Sequence, residues 1–320
     1  MNYFKTFIFL LLITVIAGCR DEKFPSINHH QSFVASVNIL EPSIIFYNSL
    51  GEEIAFWDLK KAYTGATLLQ RDRILLYGHQ LEEADIYELS SGKKLKSIKT
   101  GIGTTNVYYD EKMKKIFITN SERNSVTSFD YKGTKLQELK LRNYPMSMAS
   151  YKDKLYVVNY KDTIMSVVNM DSLKLEAEWS IAKSSSGIVI IPEEKAIWVG
   201  GHGEGERPNQ SIDVLNLQTG NLVKEIKVSI MPVGFWRKDD VVYIVNHGAN
   251  ELYAMDLKGN TLWKTEVGAN PFAVAFIKNE IVVAGYDDHK LYFLKEGQIQ
   301  KEISTNKGPF QLLVREVQKR

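Results

Sequence analysis

Seven runs of β-branched and aromatic residues, each closed by Asn or Gly, recur down the chain at a nearly constant interval. They are FVASVN (33–38), ILLYG (74–78), KIFITN (115–120), KLYVVN (154–159), AIWVGG (196–201), VVYIVN (241–246) and EIVVAG (280–285). Their last residues, Asn38, Gly78, Asn120, Asn159, Gly201, Asn246 and Gly285, are 40, 42, 39, 42, 45 and 39 residues apart. A period of roughly 40 to 45 residues that holds several short strands is the period of a propeller blade. Helical repeats of similar length would space apolar residues by three and four, whereas here they alternate. In KIFITNSERNSVTSFDYKGTKLQELKL the apolar positions are Ile116 and Ile118, then Val126 and Phe129, then Leu136 and Leu139, separated by Asn-Ser and Lys-Gly turns.

Each run reads as the second strand of its unit. A third strand follows (DIYEL, SVTSFDY, SVVNM, IDVLNL, LYAMDL), then an outer fourth (LKSIKT, LVKEIKV), and an innermost first strand precedes it (NVYYD, MSMASY, IVIIP, GFWRK, FAVAF). Only SLKLEAEW (172–179) has helix-favouring composition, and its place in the period makes it an outer strand. The last segment, FQLLVREV (310–317), is one more inner strand with nothing after it, so it is expected to pair with FVASVN and close the ring. The expected fold is all-β: a seven-bladed β-propeller over residues 32–320, with four-stranded antiparallel blades and a ring closed by the N- and C-terminal strands. The first unit, SFVASVNILEPSIIFYNSLGEEIAFWDL, fits the motif least well, and six blades would follow if it were an irregular cap.

The N-terminus follows different rules. Lys5 supplies a positive start, Phe7 to Val15 is an almost unbroken apolar run, and Ala17 and Gly18 follow as a cleavage site requires. The run is short for a permanent span. Residues 1–18 therefore read as an export signal. Residues 19–31 read as a polar tether of the kind that links a lipid to a domain. The vicinal His29 and His30 lie in it and are read as bland rather than as metal ligands.

The I-A-G-C run ending at Cys19, the chain's one cysteine, resembles the lipobox of bacterial lipoproteins. The resemblance implies a diacylglycerol-modified Cys19 at the mature N-terminus, held durably by more than one acyl chain. It also implies an extracytoplasmic, membrane-anchored protein, on the outer membrane if the cell has one and otherwise on the outer face of the cell membrane. No intrachain disulfide is possible, so stability rests on packing. KIFITN, KLYVVN and VVYIVN, with the turn and aliphatic-Asp strand after each, resemble the repeats of YVTN-type (YncE-like) propellers over residues 33–317. That superfamily spreads over lyases, lactonases, haem proteins, scaffolds and unassigned lipoproteins, so it implies architecture more than activity. LYAMDLKGNTLWKTEVG (252–268), with Asp256, Gly259 and Trp263, also resembles a quinoprotein-type repeat, in this one blade alone.

In a propeller, the loop after each second strand and the loop into each first strand share one face around the channel mouth. The residues next after the seven markers are Ile39, His79, Ser121, Tyr160, His202, His247 and Tyr286, a register that takes three of the chain's six histidines. Inbound turns at 100–103, 143–145, 184–186, 231–232, 270–271 and 308–309 are their companions. His79, Tyr160, His202, His247 and Tyr286 are therefore the candidate ligand-binding set. Glu204 joins them from the longest loop, GGHGEGERPNQS (200–211), as an acid or base beside His202 under a lid. Asp287-Asp288-His289 reads as a polar turn.

No G-x-S-x-G, H-E-x-x-H or phosphate loop is present. The reading is thus a non-enzymatic, monomeric binding module of the cell envelope, without metal or cofactor, whose partner is an envelope protein or cell-wall component. The alternatives are a lyase- or lactonase-type propeller enzyme using His202, His247 and Glu204, or a small-ligand or haem sensor. A balance of 40 basic against 38 acidic residues argues against a nucleic-acid partner.

Overall fold

The computed structural model describes residues 23–317, and they form seven four-stranded antiparallel sheets arranged in a ring. Cys19 and the segment read as an export signal lie outside the described residues. Blade 1 joins the two ends of the chain: its inner strand is Pro309–Arg315, followed outward by Phe33–Asn38, Ser43–Tyr47 and Glu53–Asp58. Blade 2 runs from Gly65–Leu69 to Lys94–Lys99, blade 3 from Thr104–Asp110 to Lys135–Lys140, and blade 4 from Pro145–Tyr151 to Leu175–Ser180. Blade 5 runs from Ser185–Ile191 to Leu222–Lys227, blade 6 from Pro232–Lys238 to Thr261–Glu266, and blade 7 from Pro271–Ile277 to Gln298–Ser304. All seven marker runs are second strands. The expected closure is present, with Val34 opposite Val314 and Ser36 opposite Leu312. The first unit is a full blade, so the count is seven.

The sequence pattern explains the layering. Second and third strands are apolar on both sides because each is sandwiched between neighbouring blades, and Lys154–Asn159 and Ile164–Asn169 are buried almost throughout. Outer strands face water on one side and alternate, as Leu175–Ser180 does. SLKLEAEW is therefore a strand despite its composition. Packing between blades outweighs local helix propensity there. Four inner strands begin with proline (Pro145, Pro232, Pro271, Pro309), the strand position where a missing N–H is least costly. The marker asparagines are buried, and the side chains of Asn120 and Asn159 tie down the segment that follows or precedes them in the loop face. Asn120 Nδ2 donates to Ile102 O (2.9 Å) while its Oδ1 accepts from Arg123 N (2.8 Å). Asn159 Nδ2 donates to Ile164 O (2.9 Å).

One expectation differs. From Lys23 onward the stretch read as tether is packed against the body. Phe24 and Ile27 are buried, and the Phe24 ring stacks on Trp57 at 4.6 Å. The backbone N–H groups of Phe24 and Ile27 donate to Gly92 O (2.9 Å) and Leu89 O (2.8 Å). The buried Arg315 fixes the same strap, donating to Asn28 O, Gln31 O and Arg71 O while its guanidinium lies 4.7 Å over the Phe33 ring. Two apolar side chains in a polar stretch suffice because the blade surface already offers a Trp and a Tyr to receive them.

Candidate functional site

A repeated hydrogen bond builds one face of the ring. The N–H of the residue after each marker donates to the carbonyl of the residue that enters the inner strand of the same blade. The pairs are Ile39 to Gly308 (2.9 Å), Ser121 to Gly103 (2.8 Å), Tyr160 to Tyr144 (2.9 Å), His202 to Ser184 (3.1 Å), His247 to Met231 (2.9 Å) and Tyr286 to Asn270 (3.2 Å). Every one of these acceptors is in the left-handed region, with φ from 54° at Asn270 to 97° at Gly103. For tyrosine, serine and methionine that backbone is unfavourable and must be held by surrounding contacts. Blade 2 departs from the rule: His79 N donates to the Thr64 hydroxyl instead (3.2 Å).

This latch sets four of the predicted residues, Tyr160, His202, His247 and Tyr286, around the channel mouth, and His79 and others complete them into a run of aromatic rings, the collar. Ring centroids step from His79 to Tyr144 (6.3 Å), to Tyr160 (6.0 Å), to His202 (5.9 Å), to His247 (5.8 Å), to Phe272 (4.3 Å) and to Tyr286 (5.4 Å). Phe310 closes against Phe272 at 5.0 Å and Tyr286 at 6.3 Å. All are half-buried except Phe310, which is 37% exposed. Tyr144 sits in an inbound turn already marked by the period. Phe272 and Phe310 lie one residue further on, behind the prolines that open their strands, and the Pro-Phe repeat was the signal that identifies them.

Below the collar the inner strands enclose a channel cavity of about 430 Å³. Its walls include Thr105, Asn106, Ser147 and Gln311 among Met146, Met148, Ile188, Phe235, Trp236 and Leu312, with no charged side chain among the described lining residues. Gln311 bridges the blade 1 and blade 2 inner strands, accepting from Ala66 N (2.8 Å) and donating to Ala66 O (2.9 Å). Gly187 leaves space that the Phe235 ring fills, since a Cβ there would come within 2.3 Å of it.

Two histidines of the collar, His202 and His247, are pushed toward the neutral form. Burial lowers the pKa of His202 below its usual 6.5, and the neighbouring charge of His247 lowers it further. Burial likewise lowers His247, partly opposed by a hydrogen bond to the Pro271 backbone and by Asp287. Both Nδ1 atoms are buried without a hydrogen-bond partner. His79 Nε2 lies 3.0 Å from Ser121 Oγ. The Lys161 ammonium sits 4.4 Å over the Tyr144 ring at the rim.

Glu204 is placed differently from the rest. The long loop forms a short hairpin, Gly203–Glu204 against Arg207–Pro208, in which Glu204 pairs with Lys183 and is exposed. In blade 7, Asp288 hydrogen-bonds Tyr292, Asp287 accepts from Asn270 Nδ2 (2.6 Å), and His289 Nδ1 accepts from Gly308 N (3.2 Å). Among the described residues no three His, Cys, Asp or Glu side chains gather as a metal would need.

The fold and its collared channel define a seven-bladed β-propeller with a concave aromatic mouth. No protein-family model matches the chain, and no curated protein sequence does. Solved structures do. One is a functionally unknown protein from Desulfotomaculum acetoxidans, 10% identical, TM-score 0.75, spanning 89% of this chain and 99% of that one. Another is AztD from Citrobacter koseri, 13% identical, TM-score 0.61, spanning 89% and 97%. A third is virginiamycin B lyase from Staphylococcus aureus, 16% identical, TM-score 0.63, spanning 78% and 87%. At these identities the likeness is one of fold.

Proposed function

We propose that the chain is an exported, lipid-anchored binding module whose working surface is the aromatic collar, and that it acts without catalysis. The observation that carries this reading is the continuous run of half-buried rings over an uncharged channel. Such a surface offers ring faces and a few hydroxyl and amide groups, which suits an uncharged ligand with an apolar or ring-shaped face. The ring neighbours of His202 and His247 are Tyr160, Phe272 and one another, Asp287 near His247 is engaged by Asn270, and Glu204 is engaged by Lys183, which favours binding over acid–base chemistry.

The strap supports an orientation for this module. It lies against Leu89 and Gly92, in the loop between the third and fourth strands of blade 2, on the face opposite the collar. Cys19 precedes Lys23 by four residues, at most about 14 Å of chain. A lipid on Cys19 would thus hold the strap side at the membrane and turn the collar outward, toward an envelope protein or cell-wall component.

The test is gentle crosslinking of the full chain in its own envelope, followed by mass spectrometry of what copurifies. The expected result is a stoichiometric partner that is lost when Tyr160 and Phe272 are both changed to Ala. A partner retained by that variant would overturn the assignment of the collar. Turnover of a copurifying small molecule would overturn the non-enzymatic reading.

A further inference from the structure

Two of the crevices between neighbouring blades carry a tryptophan at the fifth residue of the outer strand: Trp57 in Glu53–Asp58 and Trp179 in Leu175–Ser180. Opposite each tryptophan is the loop after the third strand of the next blade, and the two loops match bond for bond. Leu89 N donates to Asp72 O (2.9 Å) and Gly92 N to Glu88 O (2.8 Å). In the other loop, Leu217 N donates to Lys195 O (2.8 Å) and Gly220 N to Asn216 O (2.8 Å).

What fills the two crevices differs. Between blades 1 and 2 the strap Phe24-Pro25-Ser26-Ile27 fills the space. Its N–H groups reach Gly92 O and Leu89 O, and the Trp57 indole N–H donates to Pro25 O (2.9 Å). Ala55 and Trp57 are thereby sealed, at 6% and 0% exposed. Between blades 4 and 5 the equivalent Ala177 and Trp179 stay partly exposed beside an open crevice of about 510 Å³, whose walls also include Tyr156, Val167 and Leu217.

Its walls are rebuilt: Val167 pairs with Ala177 where Phe46 pairs with Ala55, Leu215 stands where Tyr87 stands, and Tyr156, its ring 5.6 Å from that of Trp179, stands where Ala35 stands. Among the described residues no hydrogen bond reaches Leu217 O or Gly220 O, the counterparts of the two carbonyls that hold the strap. Gly220 packs on the Trp179 ring, whereas Gly92 packs on the Phe24 carbonyl, so the indole leans into the place a strap would take.

We propose that the crevice between blades 4 and 5 docks an extended segment of a partner protein, with an aromatic residue followed three positions later by an aliphatic one. The segment is held as the chain holds its own Phe24 and Ile27, through Leu217 O, Gly220 O and the face of Trp179. The occupant comes from another protein because each chain's own strap is already bound within its own first crevice. The inference is independent of the collar.

The test uses a synthetic peptide of residues 22–31, titrated into the whole propeller while tryptophan emission is read. The expected result is saturable binding with a spectral change, because the entering segment displaces the Trp179 indole. The change should be absent in Trp179→Phe, and affinity should fall at least about tenfold in Ala177→Arg and with Phe24→Ala in the peptide. Melting temperatures near wild type show that the variants remain folded. Absence of saturable binding would overturn the proposal. Binding that survives Ala177→Arg would also overturn it, because it would mean the peptide had displaced the strap. Concentration-dependent self-association of the full chain, abolished by Ala177→Arg, would overturn the partner assignment in favour of a second copy.

Discussion

Acidifying the collar should break it, and the geometry says by how much. The His202 and His247 ring centroids are 5.8 Å apart. Two unit charges at that separation repel by about 3 kcal/mol at an effective dielectric near 20, an upper figure because solvent at the mouth screens the pair. Burial adds to the effect, and Tyr160 and Phe272 offer neither ring a counter-charge; Asp287 is the one acidic group acting on His247.

The sign follows directly. Both folded-state pKa values lie below the unfolded 6.5, so the unfolded chain takes up protons first. The stabilisation from the neutral pair is complete above pH 6.5 and is lost as the pH falls from there through the lowered folded values. Histidine side-chain NMR against pH checks this. Both residues should titrate below 6.5, and His247→Gln should raise the His202 midpoint, because burial then acts alone. A His202 midpoint at or above 6.5 in the wild type, or one that His247→Gln leaves in place, would refute the reasoning.

Other perturbations reach other parts of the molecule. Phe24→Ala removes a ring stacked between Trp57 and Tyr87 and should cost about 3 kcal/mol, lowering the melting temperature by about 6 °C and opening the strap to protease. An unchanged melt would mean the strap adds nothing. Asp85 is fully buried with Lys61, Lys94, Ser97 and Tyr63; burial pushes its carboxyl upward, but these hydrogen bonds together outweigh that and hold it at about 2. Asp85→Asn should cost about 2 kcal/mol in urea unfolding at pH 7, the two lysines being able to turn partly to water. The wild-type advantage should shrink below pH 3.8 and vanish below about pH 2. Glu204→Ala breaks one exposed pair with Lys183 and should leave the unfolding midpoint within about 0.5 kcal/mol of wild type; a larger change would make the hairpin structural. Cys19→Ser should move the chain from the membrane to the soluble fraction on ultracentrifugation, and persistence in the membrane would count against lipidation there.

The architecture was legible because a blade's second strand is buried on both sides. Its apolar run must therefore be dense, and the marker after it must close a loop, which is why KIFITN and VVYIVN stand out. The collar was legible only as a register. The period names His79, Tyr160, His202, His247 and Tyr286 as neighbours, since each directly follows a marker. It does not say that Phe272 and Phe310 turn into the same mouth, because that depends on the first side-chain direction of an inner strand behind its proline. Glu204 was misplaced for a related reason: inside a long insertion the register no longer applies, and the nearest cation, Lys183, lies 21 residues away in sequence. The strap was missed because Phe24 and Ile27 have no local periodicity and are buried by partners in two different blades.

Pseudo-symmetry makes the differences between blades informative. The latch holds six of the seven backbones alike, so much of what varies at the mouth varies in side chains. The collar is accordingly uneven: Tyr160, His202, His247, Phe272 and Tyr286 follow one another through blades 4 to 7, Phe310 and His79 add single rings from blades 1 and 2, and the residues after the markers of blades 1 and 3 are Ile39 and Ser121. A ligand that used the ring as a whole would have no reason to find rings concentrated on one side. One that lies against the blade 4 to 7 side would be sensitive to His202 and Phe272 and indifferent to Ile39. Ile39→Ala is therefore the control that separates a directed binding surface from a generally apolar mouth. Equal losses from Ile39→Ala and Phe272→Ala would mean that the arc confers no direction.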